Sequence, residues 1–340
     1  MKAAIVEKKG VLKIKDIDIP KIKEDEVLLK VQAASICNAT DNHILHGIFD
    51  GFHDFYPQIL GHEVSGEVVG VGSRVKDVEL GEILTLYTPR GAFCEYTIVK
   101  PADDLFVKIP KSIPVRVRPL FEMFHGSHVA LVYPAQIKGD ETALVVGQGP
   151  MGLTAAICAK LTAKKVISVD LNELRLQKAL EVGIDAVFNR SKMTSDQIVE
   201  AVYNETDGQG VDVVIMAISE DRSEETDAFD MAIKCMKTGG RIAGLFVDVK
   251  NINENHRLDP HLLLRKEATF CHTLNKVYNN KADETNVFQD VADKVAMGKI
   301  NLEALITHEV GLSELEYALD LCINHMDETI KVVVYPGDRT

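Results

Sequence analysis

The sequence has no window of about 18 uninterrupted apolar residues, so it offers no segment able to cross a bilayer as a helix. Its start, MKAAIVEKKG, lacks the apolar core of a secretory signal, and a cytoplasmic location is expected. Basic residues are in deficit: 38 Lys and Arg stand against 51 Asp and Glu, a formal net charge of −13. That balance argues against nucleic acid or an anionic membrane as partner, since each requires a basic footprint. Acidic runs such as Glu24-Asp25-Glu26 and Glu224-Glu225 read as solvated surface. Cys37, Cys94, Cys158, Cys235, Cys271 and Cys322 form no C-x-x-C and no close-spaced framework, as in a reduced cytosolic protein. There is no internal repeat and no low-complexity stretch. What remains is 340 residues with 46% hydrophobic content, the length of two domains and ample material for their cores.

The stretch from Ala143 to Asp170, ALVVGQGPMGLTAAICAKLTAKKVISVD, organises the chain. Ala143 to Val146 suits a strand buried on both faces, and Gly147, Gly149 and Gly152 follow in the spacing G-x-G-x-x-G. A helix is expected from there, and a second strand from Lys165 that ends on Asp170. In such a βαβ unit one glycine makes the tight turn, one lets the backbone approach a pyrophosphate, and one lets the helix lie close to the strand. The helix start offers N–H groups and its dipole to that pyrophosphate, with Pro150 and Met151 in the same turn. Asp170 is placed to accept hydrogen bonds from the adenosine ribose, and its charge repels a 2′-phosphate. No Arg or Lys adjoins it, so NAD is expected as cofactor; Arg175 is taken with the cofactor-binding group.

Upstream, strands are expected at Lys2 to Val6, Val27 to Ala33, Val64 to Val71, Glu82 to Leu86, Phe93 to Val99 and Leu105 to Ile109, punctuated by glycines as in a curved antiparallel barrel. Helical pattern begins near Pro119 to Tyr133. Beyond Asp170 come a helix at Leu174 to Val182, a strand at Ala186 to Phe188 and a helix at Ser195 to Glu205. Strands at Val211 to Ala217 and Arg241 to Phe246 flank a helix at Ala228 to Met236, with Gly239-Gly240 as its stop signal, and a last strand lies at Ala268 to Cys271. That number of alternating strands suits two mononucleotide-binding halves. The chain then changes to helices near Asn286 to Met297 and Ser313 to Cys322, and a closing strand Ile330 to Tyr335.

This layout resembles the medium-chain dehydrogenase/reductase superfamily, specifically its zinc-dependent alcohol and polyol (sorbitol-like) dehydrogenases. The resemblance covers nearly the whole chain and rests on Ala33-Ala34-Ser35-Ile36-Cys37 with Thr40-Asp41 and His43, on GHEVSGEVVGVGSRV from Gly61, on GAFCEY from Gly91 and on GQGPMG from Gly147. GVDVVIMA from Gly210, GGRIAGL from Gly239, Ile306-Thr307-His308 and Ile330-Lys331-Val332-Val333 add to it. It implies an α/β architecture: a doubly wound Rossmann sheet, residues 124–271, inserted in a GroES-like, mostly β catalytic domain formed by residues 1–123 and 272–340.

The same resemblance implies a catalytic zinc on Cys37, His62, Glu63 and Glu122, ligand types a catalytic zinc uses when one position is kept for water or substrate. Whether Glu63, Glu122 or both ligate stays open. So does the register at Cys37-Asn38-Ala39-Thr40-Asp41, one residue longer than in relatives, which sets Cys37 against Asn38 as ligand. Thr40 and His43 match the family's proton relay, and Asp41 the carboxylate that orients the ligand histidine. Only Ile83 to Arg90 separates Gly81-Glu82 from Gly91, without cysteine, so no structural zinc is expected. Met123 stands where relatives have proline, and His125 and His128 lie nearby. The implied activity is hydride transfer between NAD(H) and a secondary alcohol or ketone, a polyol, cyclitol or sugar. Its rivals are a zinc-free NAD(P)H enone or quinone reductase, for which Asn38 and Asp41 fit the pattern N-x-x-D, and a dinucleotide-binding protein without catalysis. A homodimer or homotetramer is expected, paired through the Rossmann sheet edge.

Overall fold

The structure, a computed structural model, describes residues 1–47, 56–128, 135–218, 227–244, 260–271 and 281–337. Strands β1 (Lys2–Lys8), β2 (Val11–Asp16) and β3 (Val27–Ser35) precede helix α1 (Thr40–His46). They are followed by β4 (Gln58–Ile59), β5 (Glu63–Val71), β6 (Ile83–Tyr87), β7 (Tyr96–Val99) and β8 (Phe106–Lys108). A 3-10 helix, Val115–Phe121, runs into α2 (Glu122–Ser127). Strand and helix then alternate: β9 (Thr142–Val146), α3 (Pro150–Lys160), β10 (Lys165–Asp170), α4 (Glu173–Glu181), β11 (Ala186–Asn189), α5 (Ser195–Glu205) and β12 (Val211–Met216). The alternation continues through α6 (Ala228–Cys235), β13 (Met236–Gly244), α7 (Pro260–Lys266) and β14 (Thr269–Cys271). The last elements are α8 (Lys281–Ala296), β15 (Ile306–Gly311), α9 (Leu315–Asn324) and β16 (Lys331–Tyr335). No helix among the described residues is long and apolar enough to cross a membrane.

Two compact units result, one of Met1–Glu122 with Lys281–Thr340, the other of Met123–Asn280. The second unit holds a parallel sheet in the order β11-β10-β9-β12-β13-β14. Strand order reverses between β9 and β12, the switch point outside which such sheets bind ligands. Its central strands are buried on both faces, so they read as unbroken apolar runs: Leu144, Val146, Ile167, Val169, Val214 and Met216 share one core with Phe229 and Ile233 of α6. Helix α5 starts as its sequence demands, with Thr194 and Gln197 forming a reciprocal capping box.

The first unit is β-rich. One sheet has the order β15-β16-β3-β5-β6-β8, with β7 also on β3, and a smaller one runs β2-β1-β4. Strand β3 is its hub: β7 pairs with Val27 to Lys30, β16 with Ala34 and Ser35, and β5 along nearly its whole length. The α/β class, the Rossmann sheet and the β-rich companion domain all agree with the sequence reading.

Several local expectations need correction. Gly239 and Gly240 do not stop a helix; they lie inside β13, which starts directly after α6 at Met236. Gly239 has φ +78°, and the β12–β13 register is irregular between Val211 and Val213, so the pair accommodates a distortion of the strand. The residues before α2 wind as a 3-10 helix rather than an α-helix, and positions 129–134 of the helix expected there lie outside the described residues. Strands β2, β4 and β15 were not anticipated, and β7 begins at Tyr96 rather than Phe93. Glu224-Glu225 and the Phe246 end of β13 also lie outside the described residues.

Candidate metal centre and cofactor loop

The first site forms where three strands meet. In the β3–β5 ladder Ser35 stands opposite Glu63, and in the β3–β16 ladder Ser35 stands opposite Val333. The end of β3 therefore delivers Cys37 beside the start of β5, which delivers His62 and Glu63. The sulfur, a ring nitrogen and a carboxylate oxygen of these three residues all lie within 4.8 Å of one another. His62 and Glu63 are buried and Cys37 is half-buried.

Asp41, 0% exposed, ties the cluster together. Its Oδ2 accepts the Cys37 backbone N–H at 2.9 Å, and its Oδ1 lies 3.3 Å from His62 Nδ1. Burial opposes a charged His62, yet the Asp41 carboxylate and the Cys37 sulfur more than offset it and hold this imidazole well above its ordinary range. With Nδ1 turned to a carboxylate, Nε2 is the nitrogen left for a metal. Thr40 and His43 sit three residues apart on α1, on neighbouring positions of one helix face. The structure brings Cys37 against His62; the Asn38 side-chain oxygen is buried and meets no hydrogen-bond partner among the described residues.

Glu63 is not a bare carboxylate. It accepts from Ser35 Oγ and from the Lys331 ammonium, at 2.7 Å to Oε1 and 2.6 Å to Oε2. Lys331, 1% exposed, also donates to the Ile36 carbonyl at 2.6 Å. Burial disfavours its charge, but the Glu63 carboxylate and the Cys37 sulfur outweigh that and raise its pKa. This lysine was missed as a site residue; the available signal was a lone cation heading the otherwise apolar strand Lys331 to Val334.

Glu122 ends the 3-10 helix and starts α2. It stands outside the group of three, yet desolvation first, and the Glu63 carboxylate second, push its pKa up to about 7. Zinc holds S, N and O ligands at about 2.0–2.3 Å, which sets ligand atoms within roughly 4 Å of one another. A thiol, an imidazole braced by a carboxylate and a carboxylate are the donor types that ion takes, and within 4.8 Å of one another they lie close to that spacing, with the Glu122 carboxylate as a further oxygen donor.

The second site is the glycine loop. Gly147 has φ +91°, and a Cβ on it would come within 2.5 Å of the Ala217 carbonyl oxygen; one on Gly152 would come within 1.9 Å of the Gly147 oxygen. Neither position admits another residue. A Cβ on Gly149, by contrast, would meet only the Arg175 guanidinium at 4.0 Å, so the loop is open at this glycine. Pro150 is the first residue of α3, where its missing N–H costs nothing, and Met151 and Gly152 follow it in the first turn. Asp170 closes β10; its Oδ2 accepts the Gln148 N–H at 2.5 Å and its Oδ1 the Asn172 N–H at 2.7 Å. Asn172 in turn caps α4, the helix that carries Arg175.

A parallel sheet with this loop and a β-rich unit with this donor cluster define a zinc-binding dehydrogenase architecture. The comparisons agree: the family model described as "Zinc-binding dehydrogenase" matches residues 150–293 and that described as "Alcohol dehydrogenase GroES-like domain" matches residues 23–111. The sorbitol dehydrogenase of Bacillus subtilis is 26% identical, over 99% of this chain and 98% of that protein. The L-threonine 3-dehydrogenase of Thermococcus kodakarensis is 31% identical, over 94% and 93%. A solved structure of a putative zinc-binding dehydrogenase from Sinorhizobium meliloti, bound to NADP, superposes with TM-score 0.79 at 26% identity, covering 98% of this chain and 99% of that one. The chain belongs to the zinc-dependent alcohol and polyol dehydrogenase family of medium-chain dehydrogenases, and it is an oxidoreductase of the alcohol dehydrogenase class.

Proposed function

We propose that this chain oxidises a secondary alcohol of the polyol, cyclitol or sugar class with NAD, using one zinc ion per chain held by Cys37, His62 and a carboxylate from Glu63 or Glu122. The observation that carries this reading is the convergence of the Cys37, His62 and Glu63 donor atoms on one buried spot braced by Asp41. A zinc ion bound there supplies Lewis acidity to the alcohol oxygen. Asp41 fixes the tautomer and orientation of His62. Thr40 and His43 take the substrate proton, the hydroxyl receiving it from the alcohol oxygen and the imidazole passing it to water. Peptide N–H groups at the start of α3 receive the pyrophosphate, whose charge the nearby Arg175 offsets. Asp170 keeps lone pairs beyond the two its N–H partners use, and these accept the ribose hydroxyls.

The names of the relatives support a secondary alcohol, since sorbitol and the 3-position of L-threonine each carry one. The glutamates around Cys37 and His62 favour the polyol branch. The NADP held by the Sinorhizobium protein makes a 2′-phosphate the decisive comparison for Asp170. The outer strand β14, with Phe270 42% exposed, suits pairing between two copies in a dimer or dimer of dimers, which light scattering at micromolar concentration tests. A monomer contradicts that assembly. A cytoplasmic location accords with the six free cysteines.

The test is a panel of sorbitol, inositol, simple secondary alcohols and L-threonine, each with NAD and with NADP, alongside elemental analysis. NAD reduction by polyols in a zinc-containing protein is expected. Reduction of an enone by a zinc-free protein, with no alcohol oxidised, overturns the reading in favour of the reductase.

A further inference from the structure

Strand β6 is buried from Ile83 through Leu86, and then Tyr87 emerges 45% exposed. It does not emerge onto indifferent surface. The β5–β6 register sets Tyr87 opposite Glu63, and its ring centroid lies 5.2 Å from that of His62, tilted by 47°. The backbone at this point is fixed: the Thr88 N–H donates to the His62 carbonyl at 2.8 Å, Thr88 is fully buried, and its hydroxyl accepts the Arg90 N–H at 3.2 Å. The phenol hydroxyl takes no hydrogen bond from any described residue. A large amphipathic side chain is thus held beside a proposed ligand, its hydroxyl unspent on any described residue. Packing alone does not explain a tyrosine here, because phenylalanine covers the imidazole equally well and no described residue uses the hydroxyl.

We infer that Tyr87 is a specificity residue whose hydroxyl pairs with a second hydroxyl of the substrate, on the carbon next to the one being oxidised. This rests on the polyol dehydrogenase reading above and deepens it by naming the residue that reads the hydroxyl next to the reacting carbon. A phenol both donates and accepts, so it suits a neutral hydroxyl rather than a carboxylate or ammonium group. Tyr87 is 45% exposed in the free protein, so a substrate that covers it must replace the water on its hydroxyl, and an analogue without the adjacent hydroxyl leaves that group unpaired. The ring, meanwhile, shields one side of His62 from water.

The test compares meso-2,3-butanediol with 2-butanol, which differ by one adjacent hydroxyl, in the native protein and in Tyr87→Phe, each checked for zinc. In the variant kcat/KM for the diol should fall about 10-fold, mainly through KM, while that for 2-butanol stays within about 2-fold, the size of one neutral hydrogen bond. Tyr87→Leu, which removes the ring as well, should lower both. An unchanged diol-to-alcohol ratio in Tyr87→Phe, or an equal fall for both substrates, overturns the inference while leaving the proposed function standing. A native protein that oxidises neither of these alcohols nor sorbitol nor inositol overturns both.

Discussion

Glu122→Gln isolates one carboxylate without changing its shape. In the metal-free chain Glu122 titrates at about 7 against an ordinary 4.5, chiefly because burial disfavours its charge and next because Glu63 repels it. Between those two pH values the folded chain keeps a proton that the unfolded chain has lost. Stability therefore falls as pH rises from about 4.5 to about 7 and stays low above that. At about 1.36 kcal/mol per pKa unit the full effect is on the order of 3 kcal/mol, reduced to roughly 2 because the residue is only half-buried by the fold. His62, also raised, contributes stability that is present below about 6.5 and is lost as pH climbs through its folded value, so it tilts both proteins the same way. The assay is urea unfolding of chelator-treated native and Glu122→Gln protein at pH 4.5 and pH 8. The two should be nearly equal in stability at the lower pH, and the variant should be more stable by roughly 2 kcal/mol at the higher one. Parallel stability profiles would refute the reasoning and mean that Glu122 is solvated in the folded chain.

Lys331→Met removes the cation that neutralises Glu63 and should cost about 3–5 kcal/mol in chemical denaturation, whereas Lys331→Arg should recover part of it. Gly152→Ala drives a methyl into the Gly147 carbonyl and should weaken NADH binding, followed by cofactor fluorescence, at least 10-fold, with a stability loss of about 1–3 kcal/mol. Asp170→Ser should narrow the preference for NAD over NADP in kcat/KM by removing the charge that faces a 2′-phosphate, and an unchanged ratio would contradict the role given to Asp170.

The Rossmann unit was readable because its signals are local. Apolar strands, the glycine turn and the acid at the end of β10 each declare themselves within a few residues. The β-rich unit was less so: β4 is two residues long and exists only through its pairing with β1, and β15 is defined by its parallel neighbour β16. The same contrast holds at the site. Cys37, His62 and Glu63 could be named from short motifs, and the structure brings them together. Lys331 acts on a glutamate 268 positions away, a relation visible only once β3, β5 and β16 lie side by side. Tyr87 carries no motif, and its place follows from the strand register with Glu63. Glu122 was found by likeness to relatives, but its standing apart from the tight group depends on the turn from 3-10 helix into α2, which no pattern in Val115 to Ser127 announces.

The central claim is a single catalytic zinc held through Cys37, and the measurement that tests it most directly is metal content per chain in native, Cys37→Ser and Asn38→Ala proteins purified without added metal. The account predicts about one zinc in the native protein and in Asn38→Ala, and none in Cys37→Ser, while NADH still binds all three. Zinc retained in Cys37→Ser and lost in Asn38→Ala would move the ligand to Asn38, and a native protein without zinc would contradict the account altogether.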